Sequence, residues 1–247
     1  MYLRNSLLLF TGVFGLAHQA ISQKHIEVRE QTWVGYFNQS RFTDRSGIWV
    51  DLHYRLTDDF IRERTIAIAR FAYLYYLSDN VRLMAGYAFA PRFSAVGVSP
   101  IPEHRPWQQI QWIEKKKGFN LSQSLRIEQR FRRNVTNEQL AEEYDFNWRF
   151  RYNFSCTIPL TKSEASSKFS FLIFGNDIHI NAGKNVNHNY FDQNRLSAAF
   201  GYHFTPELNA HLGYMFIFQQ DAAAGHYLHL NVIRLFVIHQ LDFRNNE

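Results

Sequence analysis

The sequence of 247 residues holds a single cysteine, Cys156, so it can form no internal disulfide, and no cysteine near its start could carry a lipid anchor. Beyond one apolar stretch close to the N-terminus, no hydrophobic run approaches the roughly 20 residues that a membrane-spanning helix needs. The patterns G-x-S-x-G, H-E-x-x-H, G-x-G-x-x-G and the P-loop are also missing, so no catalytic residue, metal site or cofactor is expected. Charge of one sign is not concentrated anywhere for long: 27 Lys and Arg are interleaved with 22 Asp and Glu, for a net charge of +5. Without a sustained basic stripe, nucleic acid is not an expected partner.

Aromatic residues, by contrast, are abundant, with 23 Phe, 13 Tyr and 5 Trp. Hydrophobic residues make up 46% of the chain, yet mean hydropathy is -0.34, a balance that suits strands apolar on one side only. At the N-terminus, Arg4 precedes the apolar residues 7–16 and the small residues Ala17, Ala20 and Ser22, the three-part layout of a secretory signal peptide. Residues 1–22 are therefore expected to be removed on export, leaving 23–247 as a single domain.

The main structural signal lies at 144–158. Tyr144, Phe146, Trp148, Phe150, Tyr152, Phe154, Cys156 and Ile158 alternate without a break with Asp145, Asn147, Arg149, Arg151, Asn153, Ser155 and Thr157. Period two over this length predicts a strand with one apolar and one polar face. The same alternation holds for 48–56, 119–132, 196–204 and 208–218, and noisier candidates lie at 31–41, 63–77, 80–92, 105–116, 168–180 and 225–243. These segments are longer than the five or six residues common in globular strands and match the 9 to 11 of tilted membrane strands. No amphipathic helix is long enough to cover such a sheet; only short helical hints occur near 137–143. Lipid must then solvate the apolar faces. The opposite orientation would place Arg149 and Arg151 in hydrocarbon at roughly 2 to 4 kcal/mol each. An open sheet edge there would strand backbone donors and acceptors, so the sheet must close.

The expected fold is thus all-β, a transmembrane antiparallel up-and-down barrel of about 10–12 strands. Short turns are expected at 43–46, 78–80, 116–118 and 205–207, and long loops at 93–104, 133–143 and 181–192. Eleven candidate segments conflict with a chain that starts and ends on one side of the membrane, so ten or twelve strands are expected instead.

The run Thr32-Trp33-Val34-Gly35-Tyr36-Phe37-Asn38-Gln39, followed by Trp49, Asp51 and Glu103-His104-Arg105-Pro106-Trp107-Gln108-Gln109, resembles the barrel proteins of domain-of-unknown-function family 2490. Asn176-Asp177-Ile178-His179-Ile180-Asn181, Phe191-Asp192-Gln193-Asn194-Arg195-Leu196 and Leu212-Gly213-Tyr214-Met215 are similar to its later segments. The resemblance implies a barrel in the cell outer membrane of a Gram-negative bacterium, among outer-membrane lipid and lipopolysaccharide and inserted by the barrel insertion machinery. It supplies no activity.

On the predicted polar faces, Asp51, His53, Arg55, Arg126, Glu128, Arg130, Arg149 and Arg151 are the lumen-facing candidates. They could form a selectivity lining, or pair across strands and fill a narrow interior. His53, His203 and His211 suit lumen hydrogen bonding, whereas His226 and His229 point to opposite faces and cannot share a metal. Four tryptophans, Trp33, Trp107, Trp112 and Trp148, suit an interfacial girdle, and Trp49 falls on an inward position. The basic groups at 115–117 and Arg130, Arg132 and Arg133 could meet headgroup phosphates. The sequence favours a non-enzymatic barrel acting as a narrow pore, a solute or lipid passage, or an envelope-stabilising module. A lipid-modifying enzyme at the rim and an adhesion barrel built on the long loops are the alternatives; on the enzymatic reading, Ser197 and His203 share a strand face but lie too far apart to touch.

Overall fold

A computed structural model describes residues 24–94, 97, 100–160, 168–221 and 223–244, so the expected signal peptide lies outside the described residues. Among these residues there is no helix. Eleven strands run in order: β1 (His25–Arg41), β2 (Ser46–Thr57), β3 (Glu63–Ser78), β4 (Val81–Phe89), β5 (Glu103–Lys116), β6 (Phe119–Thr136), β7 (Gln139–Pro159), β8 (Phe169–Ala182), β9 (Phe191–His203), β10 (Leu208–Gln220) and β11 (His226–Asp242). Each pairs with its sequence neighbours in antiparallel fashion, and β1 meets β11 to close the barrel.

That closing seam is parallel, in unbroken register from His25 opposite His226 to Arg41 opposite Asp242. Eleven strands among the described residues fall within the expected 10–12; what is corrected is the argument for an even count, because first and last strands run the same way. A parallel ladder pairs every backbone group as completely as an antiparallel one, so it satisfies the demand for closure equally well. β1 begins at His25, six residues ahead of the candidate segment 31–41.

Two further expectations change. Residues 133–143 are neither a long loop nor helical: β6 and β7 stay paired out to Thr136 opposite Gln139. Asn137 and Glu138 turn the chain with positive φ at both positions (51° and 57°), the geometry of a two-residue hairpin turn. Arg133 holds the extension by donating from Nε to the Ala141 carbonyl.

Side chains sort by parity. On β7, Trp148 and Phe150 face outward while Arg149 is buried inside, and on β3 Phe71 and Tyr73 stand exposed while Ala72 and Leu74 are buried. The exterior carries exposed aromatic and aliphatic side chains on every strand, a surface that acyl tails solvate and water does not. The interior is less uniformly polar than expected. Ile66, Ile68, Leu74, Tyr76 and Met84 form one inner cluster with Trp107, and Trp33, Met215, Ile217, Leu230 and Val232 form another. The inward apolar side chains pack on each other in these two clusters and fill part of the interior. Close approach sets one glycine: a Cβ on Gly213 would lie 2.5 Å from the Cβ of Ala199.

Candidate functional site

The strands enclose a cavity of about 630 Å³. All eight lumen-facing candidates line it: Asp51, His53, Arg55, Arg126, Glu128, Arg130, Arg149 and Arg151. Period two brings them there, because each occupies the non-lipid position of its strand.

Cross-strand pairing then organises the charges. Arg126 on β6 lies directly opposite Arg151 on β7, a like-charge pairing that would repel on its own. Carboxylates separate the two. Arg151 Nη1 is 3.0 Å from Glu128, its Nη2 is 2.6 Å from Asp177, and Arg126 reaches Glu128 at 3.7 Å. Asp177 also holds His179 at 2.9 Å and Arg195 at 3.8 Å, and Asp192 holds Arg149 at 2.7 Å. One chain of ion pairs therefore crosses β6, β7, β8 and β9.

A second knot centres on Glu103, which is fully buried. Arg130 and Arg105 donate to one of its oxygens at 2.6 and 2.9 Å, and Arg132 and Arg92 lie 3.6 and 3.7 Å from the other. Arg92 reaches it from outside the strands, in the segment joining β4 and β5. A third group sits on β2 and β3: Arg70 Nε donates to Asp51 at 2.8 Å, the Trp49 indole donates to Asp51 at 2.6 Å, and His53 Nε2 lies 3.0 Å from Asp51 and 2.8 Å from Arg70.

Sequence reasoning missed Arg70, Glu103, Arg105, Asp177, His179, Asp192, Arg195 and Arg234. The alternation Asp177-Ile178-His179-Ile180-Asn181 carried a readable signal for two of the ion-pair partners, Asp177 and His179 on β8. Arg70 carried none, since its inward neighbours Ile68 and Ala72 are apolar.

The girdle expectation is corrected for Trp33 and Trp107. Both point inward and are buried, at 4% and 1% exposure, while Trp148 faces outward. Inside, their rings carry guanidinium groups: Arg55 stacks 3.5 Å from the centroid of Trp33, and Arg126 stacks 4.1 Å from that of Trp107. Such a stack supports a buried cation where hydrogen-bond acceptors are scarce. Trp49, placed inward by its parity, packs against the inner cluster and spends its N–H on Asp51.

Other sequence candidates stay apart. The Ser197 hydroxyl donates to the Gly175 carbonyl, and His203 stacks on Phe169 with ring centroids 4.4 Å apart. His226 lies beside His25 and His229 beside Phe216, and among the described residues no three His, Cys, Asp or Glu are grouped to hold a metal ion. At the end of the barrel that carries the short turns, Arg41 donates to Asp79 at 2.8 Å. That hydrogen bond holds the exposed Asp79 carboxyl below its usual range.

The family model described as "Protein of unknown function (DUF2490)" matches residues 30–227, from within β1 to the start of β11. The chain belongs to this family. Its matched region spans the full set of ion-paired strands described above. No curated protein sequence matches the chain. Among solved structures, a NanC porin in a rhombohedral crystal form is similar at 14% identity and a TM-score of 0.47, with 85% of this chain and 99% of that chain covered.

Proposed function

We propose that this DUF2490 member is an outer-membrane barrel whose interior serves as a narrow passage for small solutes, without enzymatic chemistry of its own. The observation that carries the reading is the pairing of a lipid-compatible exterior with an interior cavity of about 630 Å³ lined by charged side chains. A barrel with a purely structural role has no need of an unfilled charged interior, since apolar packing would close it at lower desolvation cost. The cavity falls within the range of small-molecule sites. In this reading outer-membrane lipid and lipopolysaccharide surround the aromatic exterior, and the barrel insertion machinery places it there.

Two measurements test the proposal. Cell fractionation should find the chain with the outer membrane, resistant to carbonate extraction. Purified protein in planar bilayers should give discrete conductance steps. Recovery in a soluble fraction, or silent bilayers at protein densities where a porin control conducts, would refute the passage.

A further inference from the structure

The interior holds more positive charge than its own carboxylates answer. Eleven arginines line the cavity, against Asp51, Glu128, Asp177, Asp192 and Asp221, and Glu103 adds one carboxylate just behind the wall. Asp51, Glu103, Glu128, Asp177 and Asp192 are each already engaged by arginine within 3.0 Å. The excess is not spread evenly. Among the described residues, the guanidinium groups of Arg55 and Arg234 make no hydrogen bond and no ion pair, and the Nε of each is buried without a partner.

These two arginines share one level of the barrel. Trp33 on β1 is opposite Arg55 on β2 and opposite Arg234 on β11; the Arg55 guanidinium stacks on the indole, whereas that of Arg234 lies over Phe236, 5.4 Å from the ring centroid. Arg195 approaches the same ring from β9, with its guanidinium carbon 5.1 Å from the centroid. The charges acting most strongly on Arg55 are all cationic, with Arg195 first, followed by Arg105, Arg70 and Arg151. Met215, Ile217 and Leu230 pack with Trp33 and give the same region an apolar wall.

The guanidiniums of Arg55 and Arg195 converge on one indole, that of Arg234 lies nearby over Phe236, and neither Arg55 nor Arg234 has an ion-pair partner among the described residues, so the three repel one another in a site that water only partly screens. A planar oxyanion relieves this: an arginine fork accepts a carboxylate through two parallel N–H···O bonds. The apolar wall adds a preference for an organic body over a bare inorganic ion. We infer that Arg55 and Arg195 at Trp33, with Arg234 at the neighbouring Phe236, form a binding site for a small organic carboxylate inside the barrel. The inference deepens the passage reading, naming the solute class that the interior selects.

Binding can be read without conduction. Refolded barrel in nonionic detergent is titrated calorimetrically with benzoate, with its neutral isostere benzamide, and with inorganic phosphate, against detergent blanks. Benzoate is expected to bind more tightly than either of the others, and Arg55→Gln or Arg234→Gln to weaken it roughly tenfold or more, the loss typical of a hydrogen bond to a charged group. Arg62→Gln, on an exposed turn, should change nothing. Should Arg55→Gln fail to fold, Arg55→Lys keeps the charge without the fork and should still weaken binding. Benzamide binding as tightly as benzoate, phosphate binding more tightly, or benzoate binding indifferent to both arginines would overturn the site. A barrel that proves silent in bilayers but binds benzoate through Arg55 keeps the site and loses the passage. One that conducts but shows no arginine-dependent binding keeps the passage and loses the site.

Discussion

Replacing Glu103 by glutamine removes one charge and almost no volume, and should be among the most damaging single changes in the barrel. The glutamate is fully buried, with Arg130 at 2.6 Å and Arg105 at 2.9 Å. At an effective dielectric near 20, a unit pair at these distances is worth about 6 kcal/mol. Desolvation of the carboxylate, several kcal/mol, is returned on neutralisation and offsets part of the loss. What remains is the cost of arginines left to repel each other, and a broken buried pair typically costs about 3 to 5 kcal/mol. Arg92 and Arg132, at 3.7 and 3.6 Å, push toward the upper end. The assay is urea titration of the barrel folded into lipid vesicles, followed by tryptophan fluorescence. With a slope of about 2 kcal/mol per molar, the midpoint should fall by roughly 2 M. Adding Arg130→Met should restore part of the loss, because one uncompensated cation goes with it. A loss below about 1 kcal/mol would refute the reasoning, since it would mean that Glu103 is not the counter-charge of this knot.

Phe150→Arg, on the exterior of β7, should cost about 2 to 4 kcal/mol in the same vesicle assay if the site lies near mid-membrane, and nothing if that face meets water. Gly213→Val should cost about 1 to 3 kcal/mol by the same titration, because its Cβ would meet Ala199 Cβ and the Ala198 carbonyl oxygen, each at 2.5 Å. At Asp79, whose pKa is lowered by Arg41, the stabilising contribution is present above the ordinary carboxylate value of about 4 and fades as pH falls through the lowered one. Asp79→Asn should therefore differ slightly from the parent at neutral pH and match it in strong acid, in denaturation midpoints measured across pH.

Legibility from sequence followed the contrast between the two faces of each strand. On β7 the lumen positions Arg149, Arg151 and Asn153 are polar and the lipid positions aromatic, so period two stood out. On β3 the lumen positions Ile66, Ile68, Ala72 and Leu74 are apolar as well, which erased the contrast and hid Arg70 among them. Alternation also faded over 133–143, where the β6–β7 hairpin continues but its register shifts between Arg133 and Val135 and Glu142 interrupts the apolar parity of Leu140 and Tyr144. The parallel seam showed only as the odd count of eleven candidate segments, because period two fixes which face a residue takes and says nothing about which strand lies beside it. Trp33 and Trp107 were read as girdle residues because the arginines that stack on them come from other strands or from distant sequence. The ion pairs of the lumen networks join residues up to 43 positions apart, Arg149 with Asp192, so individual candidates such as Glu128 and Arg151 were visible while their shared partners were not.

The central claim is that outward side chains meet acyl tails and inward ones line an enclosed cavity, and a cysteine scan along 144–158 of β7 tests it most directly. In a Cys156→Ser background, each single-cysteine barrel in vesicles is challenged with a membrane-impermeant thiol reagent and, after labelling with a fluorophore, with a lipid-borne quencher. Even-numbered positions should be quenched from the lipid and odd-numbered positions should not, with the pattern alternating at every step through the membrane. Uniform reaction with the aqueous reagent, or lipid quenching at Arg149 and Arg151 positions, would contradict it.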